Sequence, residues 1–218
     1  MSDGRLLADG TVLRYTLRER LLHLLVGLTY VYLLLTGLAF YSPHLYWLAI
    51  VLGGGPTARV WHPLVGVIFF FGLSWMYVMW RRDMRMTETD RLWMKSFGSY
   101  IRNEDENLPG AGRFNPGQKQ FFWVMLCCTI LLLLSGLLLW FTEYIPWNWR
   151  ILRFAAVLLH TGAALVTVGG FIIHIYMGTA VVPGGFASIT RGKVSKAWAK
   201  MHHPLWFDEI TTETSPKK

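Results

Sequence analysis

Four histidines, His23, His62, His160 and His174, stand in strongly apolar surroundings, where an ionisable side chain is costly and points to function. One such residue alone reads equally well as a hydrogen bond between helices. Four of them ask for a ligand. Neutral imidazole is an axial ligand of haem iron, and a second imidazole closes the coordination sphere, which favours electron transfer over oxygen chemistry. Zinc is the rival metal, but its structural sites gather four nitrogen or sulfur ligands; two histidines per site, with no carboxylate in the apolar stretches, fall short of that. The other three histidines, His44, His202 and His203, fall in loops and read as ordinary surface or interface residues.

The elements that must hold the four follow from the charge pattern. Of 218 residues, 53% are apolar and 16% charged, against about 25% charged in a typical soluble domain. No Asp, Glu, Lys or Arg occurs between Arg20 and Arg59, Arg59 and Arg81, Lys119 and Glu143, or Arg153 and Arg191. Those gaps cover more than half the chain, and a membrane-spanning helix needs about 20 apolar residues. The expected spans are about residues 21–41, 61–80, 121–141 and 154–181, in a single membrane domain over 1–218. The fold class is all-α, an integral membrane four-helix bundle. A soluble enzyme, a disordered chain and a nucleic-acid-binding module are excluded. The net charge of +8 sits beside apolar spans and is no signal for nucleic acid. Cys127 and Cys128 are adjacent in an apolar run and outside any C-x-x-C-H pattern, so they read as packed thiols. The first twenty residues lack an apolar cleavable leader and read as a mature N-terminus, with the first span as insertion signal.

Sidedness follows from Lys and Arg. Eighteen lie before the first span, between the second and third, or after the fourth, and only Arg59, Arg150 and Arg153 lie on the other side. Both termini, the loop of about residues 81–119 and the tail of about 183–218 are therefore expected in the cytoplasm. The Ser42-Pro43 and Ile145-Pro146-Trp147 loops are expected outside. Within the middle loop, Asp90–Met94 suits a short surface helix, Glu104-Asp105-Glu106 a solvated face, and Leu108–Gly112 irregular chain.

Depth then pairs the histidines. His62 begins the second span and His160 lies in the outer half of the fourth; His23 begins the first span and His174 lies near the inner end of the fourth. Fourteen helical residues rise about 21 Å and return to within about 40° of one face. One stripe of the fourth helix thus presents an imidazole to each leaflet, which suits two haems, one per pair. Four residues after each histidine comes Gly27, Gly66, Ala164 or Gly178, small enough to let a flat ring near the backbone, or simply to pack helices. Pro63 suits a first helical turn. Arg59 and Arg153 are candidates for the outer haem's propionates. Arg18 or Arg20 serves inside, where anchoring by the positive-inside rule explains them as well.

These residues resemble a known family. Glu19–His23, Arg59–Pro63, Asn115–Lys119, Leu159-His160, Ile173–Met177 and the tail from Gly192-Lys193-Val194-Ser195 to His202-His203-Pro204 are similar to the gamma subunit of respiratory, membrane-bound formate dehydrogenase, a dihaem cytochrome b. The resemblance covers about residues 14 to 208. It implies two b-type haems, with an outer haem fed by an iron–sulfur beta subunit beside a molybdopterin-type catalytic alpha subunit. It implies quinone reduction, of menaquinone or ubiquinone, at the cytoplasmic face of the bacterial inner membrane. Carried over, the quinone residues are Asn115, Gly117 and His174. Pro116 stands where another residue is common, which removes one backbone N–H from that loop. Formate itself is handled on the alpha subunit. Four helices with histidine ligands also suit the cytochrome b subunits of nickel-iron hydrogenases and of thiosulfate or polysulfide reductases. A third reading, of a different class, is a small transporter using intramembrane histidines.

Overall fold

The computed structural model describes residues 5–96, 98 and 109–213; the Glu104-Asp105-Glu106 cluster lies outside them. In chain order the elements are β1 (Thr11–Leu13), α1 (Leu17–Tyr41), α2 (Trp47–Val51), α3 (Gly55–Trp80), α4 (Glu88–Lys95), α5 (Pro116–Trp140), α6 (Arg150–Tyr176), α7 (Gly185–Arg191), β2 (Lys193–Ser195), α8 (Lys196–His202) and α9 (Pro204–Glu213). Four helices are long and apolar enough to cross a membrane: α1, α3, α5 and α6, the last flanked by a 3-10 turn at Trp147–Trp149 and a π turn at Met177–Val181. The chain divides into two compact units, residues 21–79 with 124–174, and residues 1–20 with 80–123 and 175–218.

Two of the long helices, α1 and α5, start before their apolar runs with polar capping residues. Thr16 and Glu19 exchange hydrogen bonds at the start of α1, with Thr16 N–H donating to the Glu19 carboxylate at 2.8 Å. Thr87 and Asp90 do the same for α4, and Asn115 and Gln118 for α5, at 3.0 and 2.8 Å. Such reciprocal pairs satisfy two otherwise orphaned helix donors. α1 stops before Ser42, held extended ahead of Pro43, as a residue preceding proline must be. α3 begins at Gly55, so Pro63 lies inside the helix rather than in its first turn. There it cannot donate to the carbonyl four residues earlier.

The first unit consists of the long parts of the four apolar helices. Their outward faces carry exposed large apolar residues, among them Phe71, Trp75, Leu158 and Ile172, as suits a hydrocarbon surrounding. Its middle is occupied by Tyr30, whose hydroxyl donates to Thr167 at 3.2 Å and whose ring lies 4.8 Å from Phe171 and 5.8 Å from Phe69, centre to centre. This joins α1, α3 and α6 at one level. Near one end, Ala39, Ala49 and Ala58 pack together.

The second unit is folded where the sequence alone indicates a loop and a tail. β1 pairs antiparallel with β2, Val12 opposite Val194. Those two residues, with Ala199, Trp206 and Ile210, form an apolar core. The Glu19 carboxylate accepts from Trp80 Nε1 at 2.6 Å and from Arg113 at 2.5 Å, and Arg113 also meets Asp83 at 2.7 Å. Lys119 pairs with Asp90 at 2.6 Å, both buried. Arg14 is buried, its guanidinium 4.8 Å from the Trp206 ring centre and 5.4 Å from that of Phe114. His203, expected at the surface, is buried beside it; His44 is exposed and His202 half-buried. His203 Nδ1 donates to the Gly112 carbonyl at 2.8 Å, and its Nε2 accepts from Arg14 at 3.2 Å. Burial and the Arg14 charge hold this imidazole neutral, its pKa lowered to about 3. Burial also pulls the Arg14 guanidinium below its ordinary value.

Candidate functional site

All four histidines of the apolar helices lie in the first unit, and they meet in the pairs that depth alone suggested. The His62 and His160 rings stand 6.4 Å apart centre to centre at 56°, and the His23 and His174 rings 6.0 Å apart at 47°. A metal–imidazole bond is about 2 Å and the ring centre lies roughly one ångström beyond the ligating nitrogen, so two imidazoles facing each other across one ion stand about 6 Å apart. Both pairs have that spacing. No third His, Cys, Asp or Glu joins either pair among the described residues. A pair of imidazoles with no further protein ligand suits an iron whose remaining ligands come from a macrocycle.

The surroundings fit the rest of such a group. At Gly27, Gly162 and Gly169, in the same unit, a Cβ would meet nothing within 4 Å, and at Gly66 only Leu33 at 3.9 Å, so these backbones leave open space for a flat ring. Gly178 lies in the π turn beyond α6, so the helical four-residue spacing from His174 does not hold there. Among the candidate propionate partners, Arg153 donates to the Ile145 carbonyl while its Nε is buried without a partner, an orphan donor suited to a carboxylate. Arg59 is exposed. Arg20 is committed to the last carbonyls of α7, donating from Nε to Ile189 at 2.8 Å and from Nη2 to Thr190.

Two residues that the sequence reading passed over complete the His62–His160 pair. Thr36 Oγ1 lies 2.7 Å from His62 Nδ1, and Ser135 Oγ 3.0 Å from His160 Nδ1. Gly37 and Gly136 follow them in sequence, and a Cβ there would stand 3.7 Å from His62 Cε1 and 3.2 Å from His160 Cε1. A hydroxyl followed by glycine inside an apolar span was the available signal.

Asn115 and Gly117 belong to the second unit and His174 to the first. Asn115 is the N-cap of α5, its Oδ1 taken by Gln118 N–H, which leaves its amide N–H₂ as the group able to serve a ligand. Pro116 opens the helix, where its missing N–H has no helical partner in any case.

The prokaryotic cytochrome b561 family model matches residues 14–192 of this chain. The chain is similar to the formate dehydrogenase cytochrome b556(fdo) subunit of Escherichia coli K12, 33% identical over 95% of this chain and 97% of that one. It is also similar to the nitrate-inducible formate dehydrogenase cytochrome b556(Fdn) subunit of the same strain, at 29% over 95% of both. A third relative is the formate dehydrogenase cytochrome b556 subunit of Haemophilus influenzae, at 30% over 96% of this chain and 87% of that one.

Proposed function

This chain belongs to the prokaryotic cytochrome b561 family, and we propose that it is the dihaem cytochrome b subunit of a formate dehydrogenase, a multi-pass membrane protein that passes electrons to quinone. The observation that carries the reading is the double histidine pairing at 6.4 and 6.0 Å. His62 and His160 hold one b-type haem, and His23 and His174 the other. When bound, the haems supply one-electron carriers at two depths of the membrane. The protein's own part is to hold the imidazoles neutral and facing, to surround them with apolar side chains, and to offer Arg153 to a propionate.

The Lys and Arg distribution orients the chain with both termini and the second unit's loops cytoplasmic. In that orientation the His62–His160 pair is the outer one and takes electrons from an iron–sulfur partner on the periplasmic side of the bacterial inner membrane, itself fed by a molybdopterin-type catalytic subunit. Asn115, Gly117 and His174 serve the quinone, menaquinone or ubiquinone, with the Asn115 amide donating to a quinone carbonyl and the protons drawn from the cytoplasm. Electrons taken from outside and protons from inside separate charge at about 2.3 kcal/mol per elementary charge per 100 mV, stored as membrane potential without a proton channel.

The test is optical, on the intact complex in membranes. Two low-spin b-type haems per chain are reduced by formate, reoxidised by added quinone, and held reduced when a quinone-site inhibitor is present. Reduction by hydrogen but not by formate assigns the chain to a hydrogenase instead, and absence of b-type absorbance overturns the reading altogether.

A further inference from the structure

We propose that Thr36-Gly37 and Ser135-Gly136 are the positioning elements of the His62–His160 site, the hydroxyls setting the tautomer and iron affinity of the two imidazoles and the glycines admitting the rings. This rests on the reading that these histidines ligate haem.

The tautomer follows from the ligation reading. A hydroxyl has one proton to give. Thr36 has the Tyr32 and Leu33 carbonyls at 2.8 and 3.2 Å as acceptors, and with its proton given there it accepts from His62 Nδ1 at 2.7 Å. Ser135, with its proton given to the Leu131 carbonyl at 2.6 Å, accepts from His160 Nδ1 at 3.0 Å. In this arrangement both Nδ1 atoms carry hydrogen, and both Nε2 atoms keep the lone pair that a metal requires. Thr36 and Ser135 are buried, and they sit on different helices, so two independent contacts reach the same result. Each hydroxyl is doubly used, and that is what holds it at a fixed rotamer in an apolar span.

The consequence is redox tuning. A hydrogen bond given by the far nitrogen of a ligating imidazole makes the ligand more basic, and a more basic ligand favours ferric over ferrous iron. A neutral hydroxyl does this more gently than a carboxylate would. Removing it raises the potential of that haem alone. The glycines act differently. At position 136 a Cβ would stand 3.2 Å from His160 Cε1 and 3.6 Å from its Nδ1, so the ring must move; at position 37 the 3.7 Å separation is ordinary contact.

The experiment is a potentiometric titration of the b-type absorbance in the intact complex, with His62→Ala identifying which component belongs to the pair. In Thr36→Val the potential of that component rises by about 59 mV, a roughly tenfold fall in its ferric-to-ferrous ratio for a one-electron couple, and the other stays. Its low-spin ferric resonance moves as well, because the ring is released. Thr36→Ser restores both, and Gly136→Ala disturbs the resonance while Gly37→Ala does not. Loss of only this haem in Thr36→Val, with recovery in Thr36→Ser, also supports the proposal. Two haems at unchanged potentials in Thr36→Val/Ser135→Ala overturn it while leaving the ligation reading intact, and equal shifts of both components overturn it too. A wild-type complex without b-type haem overturns the ligation reading and this proposal together.

Discussion

Replacing the four membrane histidines singly and in pairs gives a pattern that only one pairing can produce. Fourteen residues separate His160 from His174 on the continuous helix α6, a rise of about 21 Å, while partners within a pair stand 6.4 or 6.0 Å apart. No ring can reach across to the other site. His62→Ala or His160→Ala therefore removes one of two low-spin haems, half of the b-type signal. The double variant His62→Ala/His160→Ala removes no more than either alone, since both act on one group and such effects are not additive. His62→Ala/His174→Ala removes everything. The assay is haem content by alkaline pyridine extraction, with a low-temperature difference spectrum to identify the remaining component, on complex purified from membranes. A common component lost in His23→Ala and His160→Ala refutes the pairing, as does a within-pair double variant that loses twice what each single loses.

Other consequences concern the second unit and the quinone residues. Because the His203 imidazole is held neutral down to about pH 3 against an ordinary value of 6.5, the unfolded chain binds a proton there that the folded one refuses. The stability due to it is complete above pH 6.5 and declines as pH falls toward 3, by up to about 1.4 kcal/mol per pH unit. His203→Gln should flatten that part of the thermal-melting profile followed by tryptophan fluorescence, and an unchanged slope contradicts the assignment. Asn115→Asp keeps the oxygen that caps α5 and removes the amide donor, so folding should be retained and the KM for quinone should rise; unaltered quinone kinetics assign Asn115 to capping alone. Lys119→Met strands the buried Asp90 carboxylate, which costs about 3–5 kcal/mol. Adding Asp90→Asn should recover most of the lost melting temperature, whereas additive losses would show that the pair is not coupled.

The sequence disclosed the membrane helices because charge is absent from them, and it disclosed the histidine pairs because span direction converts residue number into depth. It did not disclose Thr36 and Ser135. A hydroxyl in an apolar helix commonly bonds its own preceding carbonyl, and both do so here; the second bond, to a histidine on another helix, depends on helix rotation, which the apolar pattern of a lipid-surrounded helix leaves open. His203 was hidden for a different reason. Its burial comes from a core drawn from Val12, Val194 and Trp206, short polar-flanked segments in which no long apolar period signals a fold. Pro63 was misplaced because the apolar run starts at Val60, while the helix starts at Gly55.

The contact between Arg14 and His203 joins residues 189 positions apart, and that distance is also a delay. At roughly 5–20 residues per second of synthesis, the arginine waits on the order of ten to forty seconds before its histidine and the Trp206 ring exist. Throughout that interval Arg14 lacks the shelter it will finally have. Arg14 can therefore be enclosed only after synthesis has passed Trp206. A completed enclosure reports that this point has been reached, and a product that stops short of it is marked by an arginine without its histidine.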